Sequence, residues 1–200
     1  MPYAPALSSG SPVATYAEIS SLEPWIYYEI SGDKVFPVSG WTVSFVESEP
    51  SIKGRFHMDK PHSWTEVGHP DASRNCGTAL YRAVFKINDG DASDWILNLG
   101  DVRESARVRI NGQDAGCAWA VPYELNAGQY LRKGRNVIEI EVTNLPANRI
   151  ADYDRKGIVW RRFKNINTVN IHYEPSDYSG WAAVPSGLCS EVYLTPVKSR

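Results

Sequence analysis

The sequence contains little cysteine, and the number and spacing of its thiols exclude a disulfide framework and the common zinc motifs. Three cysteines occur in 200 residues, Cys76, Cys117 and Cys189, and none lies in a C-x-x-C pattern. An odd number of thiols cannot all pair, and zinc motifs need closely spaced ligands. We therefore expect buried or free thiols. A single disulfide is the alternative, if two of the cysteines are neighbours in the fold.

Net charge and long apolar segments are also lacking. The chain has 21 Lys and Arg against 23 Asp and Glu, which gives a net charge of −2. Because it has no excess of basic charge to attract phosphates, we expect no nucleic acid partner. Its apolar runs are strand-sized, far short of the roughly 20 residues that span a bilayer, so we expect no membrane partner. The first residues lack the basic and apolar regions of a secretion signal, and any export is expected to be encoded upstream.

Apolar and polar residues alternate with period two in several segments that are separated by turn residues. Residues 95–149 hold three such segments, and the dipeptide Asn111-Gly112 supplies the two positive-φ residues of a tight hairpin. Further alternating segments occur at 41–46, 79–87 and 191–196. Six or seven strands with frequent turns predict an all-β fold, a two-sheet antiparallel β-sandwich.

The segments between these strands differ in character. Residues 1–22 are rich in Pro, Ser, Ala and Gly and predict a linker or extended arm, which leaves 23–200 as the sandwich domain. The connection at 48–78 and the segment at 165–185 are long, so we expect them to cap the sandwich or to carry function. Residues 145–154 are interpreted as an irregular loop, and residues 157–163 as a further short strand.

A series of short blocks follows a characteristic order along the chain: Gly40–Phe45, Ser63–Thr65, Gly77–Tyr81 with Phe85, Leu97–Val102, Ala106–Gly112, Gly116–Tyr123, Gly134–Asn136, Val142–Asn144, Asn148-Arg149 and Ser186–Leu188. In this order the blocks resemble the galactose-binding-like jelly-roll domain that is called the sugar-binding domain of glycoside hydrolase family 2. The resemblance is greatest to the version at the C-terminal end of family 106 α-L-rhamnosidases, and it covers about residues 40 to 197. Two segments depart from the family, which has Phe-Ser-Gly at Asn75-Cys76-Gly77 and Leu-Gly-Pro at Cys189-Ser190-Glu191.

The resemblance implies a noncatalytic carbohydrate-binding or accessory domain. In such enzymes a separate (β/α)₈ barrel carries the pair of catalytic carboxylates, so we expect no catalytic residue in this chain alone. The implied partners are carbohydrate and a glycoside hydrolase catalytic domain, and the implied location is periplasmic or extracellular. No cofactor is expected, although the family admits a structural calcium ion, for which Asn88–Asp91 with Asp94 is the nearest cluster; a turn explains that cluster equally well.

Aromatic residues are one group of candidates for sugar contact. Seven Trp and 11 Tyr exceed what a sandwich core of this size needs, and sugars pack their C–H faces on aromatic rings. We expect Trp64, Trp119, Tyr123 and Trp181 in loops that meet a ligand, and the alternative for each is that the ring packs over the end of the sandwich. Tyr173 and Tyr178 are predicted to lie in loops as well.

Polar candidates accompany these rings. Asn148, Arg149 and Asp152 provide an amide, a guanidinium and a carboxylate that suit contacts with vicinal hydroxyls, with a structural role as the alternative. Asp177 resembles in placement the acidic residue before the Ser-Gly-Leu block of family 2 β-galactosidases, where that loop reaches towards a neighbouring active site. A solvated loop aspartate is its alternative.

Two further hypotheses remain beside the sugar-binding accessory domain. In the first, the domain is a structural buttress of a catalytic barrel and has no glycan affinity of its own. Alternatively it is a small glycan-acting hydrolase or lyase, with His172, Glu174, Asp177 or Asp152 in acid/base roles. His57, His62 and His69 match no standard pattern of metal ligands.

Overall fold

A computed structural model describes residues 28–88, 92, 94–162, 169 and 171–199. Twelve strands, three short 3₁₀ turns and one α-helix occur in this part of the chain. The predicted arm at 1–22 lies outside the described residues. The strands are β1 (Tyr28–Ile30), β2 (Trp41–Glu49), β3 (Phe56–Met58), β4 (Cys76–Ile87), β5 (Asp94–Asn98), β6 (Val102–Arg103), β7 (Ser105–Ile110), β8 (Gln113–Ala118), β9 (Glu124–Asn126), β10 (Gly134–Thr143), β11 (Gly187–Leu188) and β12 (Tyr193–Ser199); α1 is Ala147–Arg155, and the 3₁₀ turns are Trp64–Glu66, Ala72–Arg74 and Gly128–Tyr130.

Two main sheets form the fold, and every strand pair in them is antiparallel. The larger sheet has the order β3-β2-β4-β10-β7-β8, and the smaller has the order β1-β12-β5-β9. A pair of short strands, β11 and β6, lies beside them. The two-sheet antiparallel β-sandwich that the alternation predicted is therefore confirmed.

The core lies between the two sheets and follows from the period-two pattern. In β4 the residues 79, 81, 83, 85 and 87 are buried, and in β10 the residues 136, 138, 140 and 142 are buried. The outward side chains of the same strands form a cross-strand ion pair, Arg82 of β4 with Glu139 of β10 at 3.4 Å. The predicted hairpin is present as well, since φ is 53° at Asn111 and 82° at Gly112.

One end of the larger sheet gathers the segments that carry most of the predicted site. The register pairs Glu49 with Cys76 and Thr143 with Thr78, so β2 and β10 both end where β4 begins. Helix α1 follows β10 at this end and contacts β4 and the 3₁₀ turn at Ala72–Arg74. We call this the helical end of the sandwich.

Two sequence expectations are wrong at the helical end. Residues 147–155 form helix α1 instead of an irregular loop, and residues 157–162 form no strand. The helix escapes a search for apolar periodicity because its buried face is largely polar: Asn148, Arg149, Ala151 and Asp152. None of the helices in the described part of the chain has the length and apolar character that a bilayer crossing requires.

Gly187 allows two core aromatics to close the helical end. Its φ is +96°, and a Cβ placed on it would lie 2.0 Å from the Tyr81 hydroxyl oxygen and 2.9 Å from a ring carbon of Trp64. Any side chain at this position would therefore be strained and would also collide with the core. The glycine of the Ser186–Leu188 block thus has a packing role.

Candidate functional site

A buried polar network connects α1 to the segment that precedes β11. The Asn148 side chain donates to the Val184 carbonyl at 2.9 Å and accepts from the Val184 amide at 2.7 Å. The Ser186 hydroxyl accepts from the Asn144 side-chain amide at 3.0 Å, and the Ser186 backbone amide donates to the Ser63 hydroxyl at 2.9 Å. Because both ends of its amide are bound internally, Asn148 fixes a loop and offers little to a ligand.

Arg149 and Asp152 belong to a second buried network on the same helix. The Asp152 carboxylate accepts from Arg149 at 2.8 Å, from Lys156 at 2.9 Å and from Arg74 at 3.0 Å. Arg149 also bonds Glu49 at the end of β2, and its guanidinium lies 4.3 Å from the Tyr153 ring centre. The network therefore fastens α1 to β2 and to the 3₁₀ turn at Ala72–Arg74.

The electrostatics of Asp152 fit this structural role. Burial raises its pKa, but the hydrogen bonds and charges of Lys156 and Arg74 outweigh burial and hold the pKa below the ordinary aspartate value. A carboxylate that stays ionised in this way is poorly suited to donate a proton near neutral pH. This observation opposes the acid role that the sequence left open for Asp152.

A cluster of aromatic side chains that includes Trp181 lies beside α1. The Trp160 indole donates to the Asp154 carboxylate at 2.7 Å, and the Tyr178 amide donates to the same carboxylate at 2.9 Å. Ring centres of Tyr178 and Trp181 are 4.6 Å apart, and the Arg161 guanidinium lies 4.4 Å from the Trp160 ring centre. We call Trp160, Tyr178 and Trp181 the aromatic cluster.

The aromatic cluster presents an apolar surface to solvent. Trp181 is 49% exposed, and Ile158, Val159 and Val184 are exposed nearby in the chain. Asp177 is exposed in the same loop, where its carboxylate accepts from the Ser179 amide at 2.8 Å and from the Ser179 hydroxyl at 3.0 Å. Asp177 therefore stabilises the turn that leads to Trp181, and its exposure leaves it accessible to a partner.

Trp119 and Tyr123 lie in the loop between β8 and β9, at the opposite edge of the larger sheet from β2 and β3. Trp119 is 76% exposed, more than any other tryptophan in the described part of the chain. Tyr123 is half-buried, and burial together with the Glu104 and Asp101 carboxylates raises its pKa. Trp119 thus lies in an exposed loop, and contact of its ring with a ligand stays a prediction.

The expected ligand-facing loop position of Trp64 is not what the structure shows. Trp64 begins a 3₁₀ turn and is 0% exposed, within the hydrophobic core. Its ring packs edge-on against Phe45, with the ring centres 5.5 Å apart. Trp64 therefore packs over the end of the sandwich, which is the alternative to ligand contact for this ring.

Metal ligands are not grouped in the described part of the chain. It contains no set of three or more His, Cys, Asp or Glu side chains that could hold an ion. Of the predicted calcium cluster, residues 89–91 lie outside the described residues, and Asp94 accepts from the Trp95 and Gly128 amides at 2.7 and 3.0 Å. Asp94 therefore anchors a turn.

The three thiols differ in environment, and this difference predicts their reactivity. All three are free; Cys117 is exposed, whereas burial, aided by the Asp101 carboxylate, raises the pKa of Cys189 to about 11. Because the thiolate is the reactive form, we expect a disulfide reagent at mildly alkaline pH to label Cys117 quickly and Cys189 only after unfolding. Mass spectrometry of the labelled protein measures this order, and Cys117→Ser should remove the fast reaction. Fast labelling of Cys189 in the folded variant would contradict it.

A groove on the side of the sandwich was not marked by any sequence signal. Its larger part, about 600 Å³, is lined by Phe36, Val38, Trp41, Lys60 and Glu191 among others. A second part of about 570 Å³ shares Lys60, Pro61 and Glu191 with it and extends to Asn98 and Gly100. We call the two parts together the side groove. It is formed by residues from both sheets that are far apart in sequence, so a local pattern does not reveal it.

The chain is similar to parts of known glycoside hydrolases. It superposes on a rhamnosidase from Novosphingobium sp. PP1Y with a TM-score of 0.66 and 25% identity, over 84% of this chain and 15% of that one. A β-glucuronidase from Bifidobacterium dentium, complexed with coumarin-3-O-glucuronide, has the same fold (TM-score 0.54, 17% identity, 83% of this chain and 31% of that one).

In sequence, the chain is 30% identical over 127 residues to a protein of Formosa agariphila that is named a putative beta-glucuronidase. This match covers 58% of this chain and 11% of that protein, so the chain spans about a tenth of that relative's length. No family model matches the chain.

Proposed function

We propose that the chain is a domain related to those of family 2 glycoside hydrolases and that it serves such an enzyme as a noncatalytic accessory domain that contacts carbohydrate. The observation that carries the proposal is coverage: 84% of this chain corresponds to only 15% of the rhamnosidase. A sandwich of this size lacks the separate catalytic barrel that the resemblance implies. Its function is then to be sought on its surface.

Exposed tryptophans support the carbohydrate part of this proposal. Trp181 and Trp119 expose much of their rings, although aromatic side chains of this size normally bury theirs in a core. Trp181 is held by Tyr178 and by the bonds from Arg155 to the backbone of its loop, so its ring is oriented before a ligand binds. A rigid, exposed ring of this kind suits stacking against the C–H face of a pyranose.

Binding of the isolated chain to a glycan array tests the proposal. We expect selective binding that Trp181→Ala weakens by about tenfold or more, because a central aromatic anchor contributes on the order of 2 kcal/mol. Val159→Ala is the matched control, since that side chain is exposed and apolar but lacks a ring. Circular dichroism of each variant verifies the fold. An array on which no glycan binds would contradict carbohydrate contact.

A specific observation favours a second candidate, the structural buttress. Asn148, Arg149 and Asp152 are engaged within the domain, while exposed apolar side chains surround the helical end. Apolar surface of this kind is typical of an interface with another domain. In this case the isolated chain binds no glycan, and the same array separates the two candidates.

A further inference from the structure

We infer that the side groove is a binding site for a neutral oligosaccharide, distinct from the aromatic cluster. The inference rests on the proposed function and adds a second contact surface to it. Its two parts of about 600 and 570 Å³ share Lys60, Pro61 and Glu191 and are therefore continuous. Each volume lies within the range of about 300 to 1,000 Å³ that is usual for ligand sites. The combined volume of the two parts suits more than one sugar ring.

The groove has an aromatic and aliphatic wall. Phe36 is 43% exposed and Val38 is 62% exposed, although both are large apolar residues beside a well-filled core. The Phe36 and Tyr193 ring centres are 5.8 Å apart, and the Lys34 ammonium lies 3.9 Å from the Tyr193 ring centre. These contacts hold the two rings in place, so that an apolar sugar face can pack on the wall without much loss of side-chain entropy.

Polar groups accompany this wall. Lys60 and Glu191 form an ion pair of 2.6 Å, in which both side chains are largely exposed. An exposed pair of this kind contributes little to stability. It does present several donors on the ammonium and several acceptors on the carboxylate within reach of a bound hydroxyl group. The groove thus combines the apolar and hydrogen-bonding chemistry that a pyranose requires.

Close backbone packing gives the groove a rigid floor. Trp41 and Val192 are buried beneath it. A Cβ on Gly40 would lie 2.6 Å from the Met58 carbonyl oxygen, and a Cβ on Gly100 would lie 2.9 Å from the Glu191 carbonyl oxygen. The two glycines therefore allow neighbouring segments to approach closely, and the shape of the groove exists before a ligand arrives.

The charges of the groove favour a neutral sugar over a uronic acid. Asp59, Lys60 and Glu191 line its larger part, so that two carboxylates stand against one ammonium. A uronate carboxylate placed there would meet like charge and would compete with Glu191 for Lys60. We therefore expect neutral oligosaccharides to bind more tightly than oligogalacturonates of the same length.

Titration of the isotope-labelled chain, followed by backbone amide and indole signals in NMR, tests the inference. The probes are a panel of neutral tetrasaccharides and tetragalacturonate. We expect the neutral probes to shift the signals of Gly40, Lys60 and Glu191, in the wild type and in Trp181→Ala alike. Phe36→Ala should weaken this binding about tenfold, as expected for loss of an aromatic anchor. Tetragalacturonate should shift the same signals less.

Each outcome has a separate meaning. Shifts confined to Trp181 and its neighbours would overturn the groove and leave the proposed function intact. Shifts in the groove that persist in Phe36→Ala, or tetragalacturonate binding as tight as the neutral probes, would overturn the site as described. No shift with any probe would overturn the groove, and the glycan array then decides the proposed function independently. Val46→Ala, an exposed apolar residue elsewhere on the larger sheet, is the control for folding.

Discussion

Trp64→Ala is expected to lower the free energy of unfolding by about 3 to 5 kcal/mol, the usual cost of removing a large aromatic side chain from a core. Trp64 is fully buried against Phe45, and its ring lies close to Gly187. Its backbone amide also donates to the Ser186 carbonyl at 2.9 Å, so the ring and the backbone together hold the connection at 48–78 over the helical end. Denaturant unfolding followed by circular dichroism measures the loss.

Trp119→Ala is the matched control for this experiment. It removes the same side chain from a position that is 76% exposed, and surface substitutions of this kind usually change stability by less than about 0.5 kcal/mol. The two variants therefore separate burial from residue type. Equal and small losses in both would contradict the placement of Trp64 in the core.

The strands are predictable from the sequence because each central strand is buried on one face only. In β4 the pattern from Ala79 to Ile87 alternates, and the structure buries the predicted face. Asn111 and Gly112 adopt the positive φ angles that a tight hairpin needs, which is a local property of two residues. Local chemistry and period-two burial thus determine most of the larger sheet.

Helix α1 is not predictable in the same way, because polar contacts determine it. Its buried positions, 148, 149, 151 and 152, have helical spacing, yet three of the four side chains are polar or charged. The spacing of Arg149, Asp152 and Lys156 at three and four residues is a helical signal that the sequence does contain. The Arg74 and Glu49 partners come from distant segments, so no local pattern shows that this face is buried.

The candidate site residues are likewise predictable only in part: the sequence predicts which of them lie in loops, but not where those loops meet in space. Trp119, Tyr123, Asp177 and Trp181 lie in loops, where the sequence places them, because turn residues surround each of them. Trp119 and Tyr123 lie at one edge of the larger sheet and Trp181 lies beside α1, and this separation depends on the order of the strands, which alternation does not specify. The side groove depends on strand order as well, since its walls come from the start of β2, the segment after β3 and the start of β12.

Asp152→Ala is expected to destabilise the domain by about 3 to 5 kcal/mol, the typical cost of breaking a buried ion pair from one side. The Asp152 side chain is 6% exposed, and the Arg149 side chain is 11% exposed. Removal of the carboxylate leaves Glu49 as the remaining acid partner of the buried Arg149 guanidinium among the described residues, and it releases Arg74 and Lys156. Denaturant unfolding measures the loss, and hydrogen exchange of the α1 amides shows whether the helix detaches first.

The pH dependence of stability provides an independent measure of the same network. Because the folded-state pKa of Asp152 is lower than the unfolded value of about 3.9, its ionised form stabilises the fold above that pH. This contribution is lost as pH falls from the unfolded pKa through the lower folded pKa. Asp152→Asn should therefore lose less stability on acidification than the wild type. Equal acid sensitivity in Asp152→Asn and in the wild type would show that Asp152 does not fasten α1.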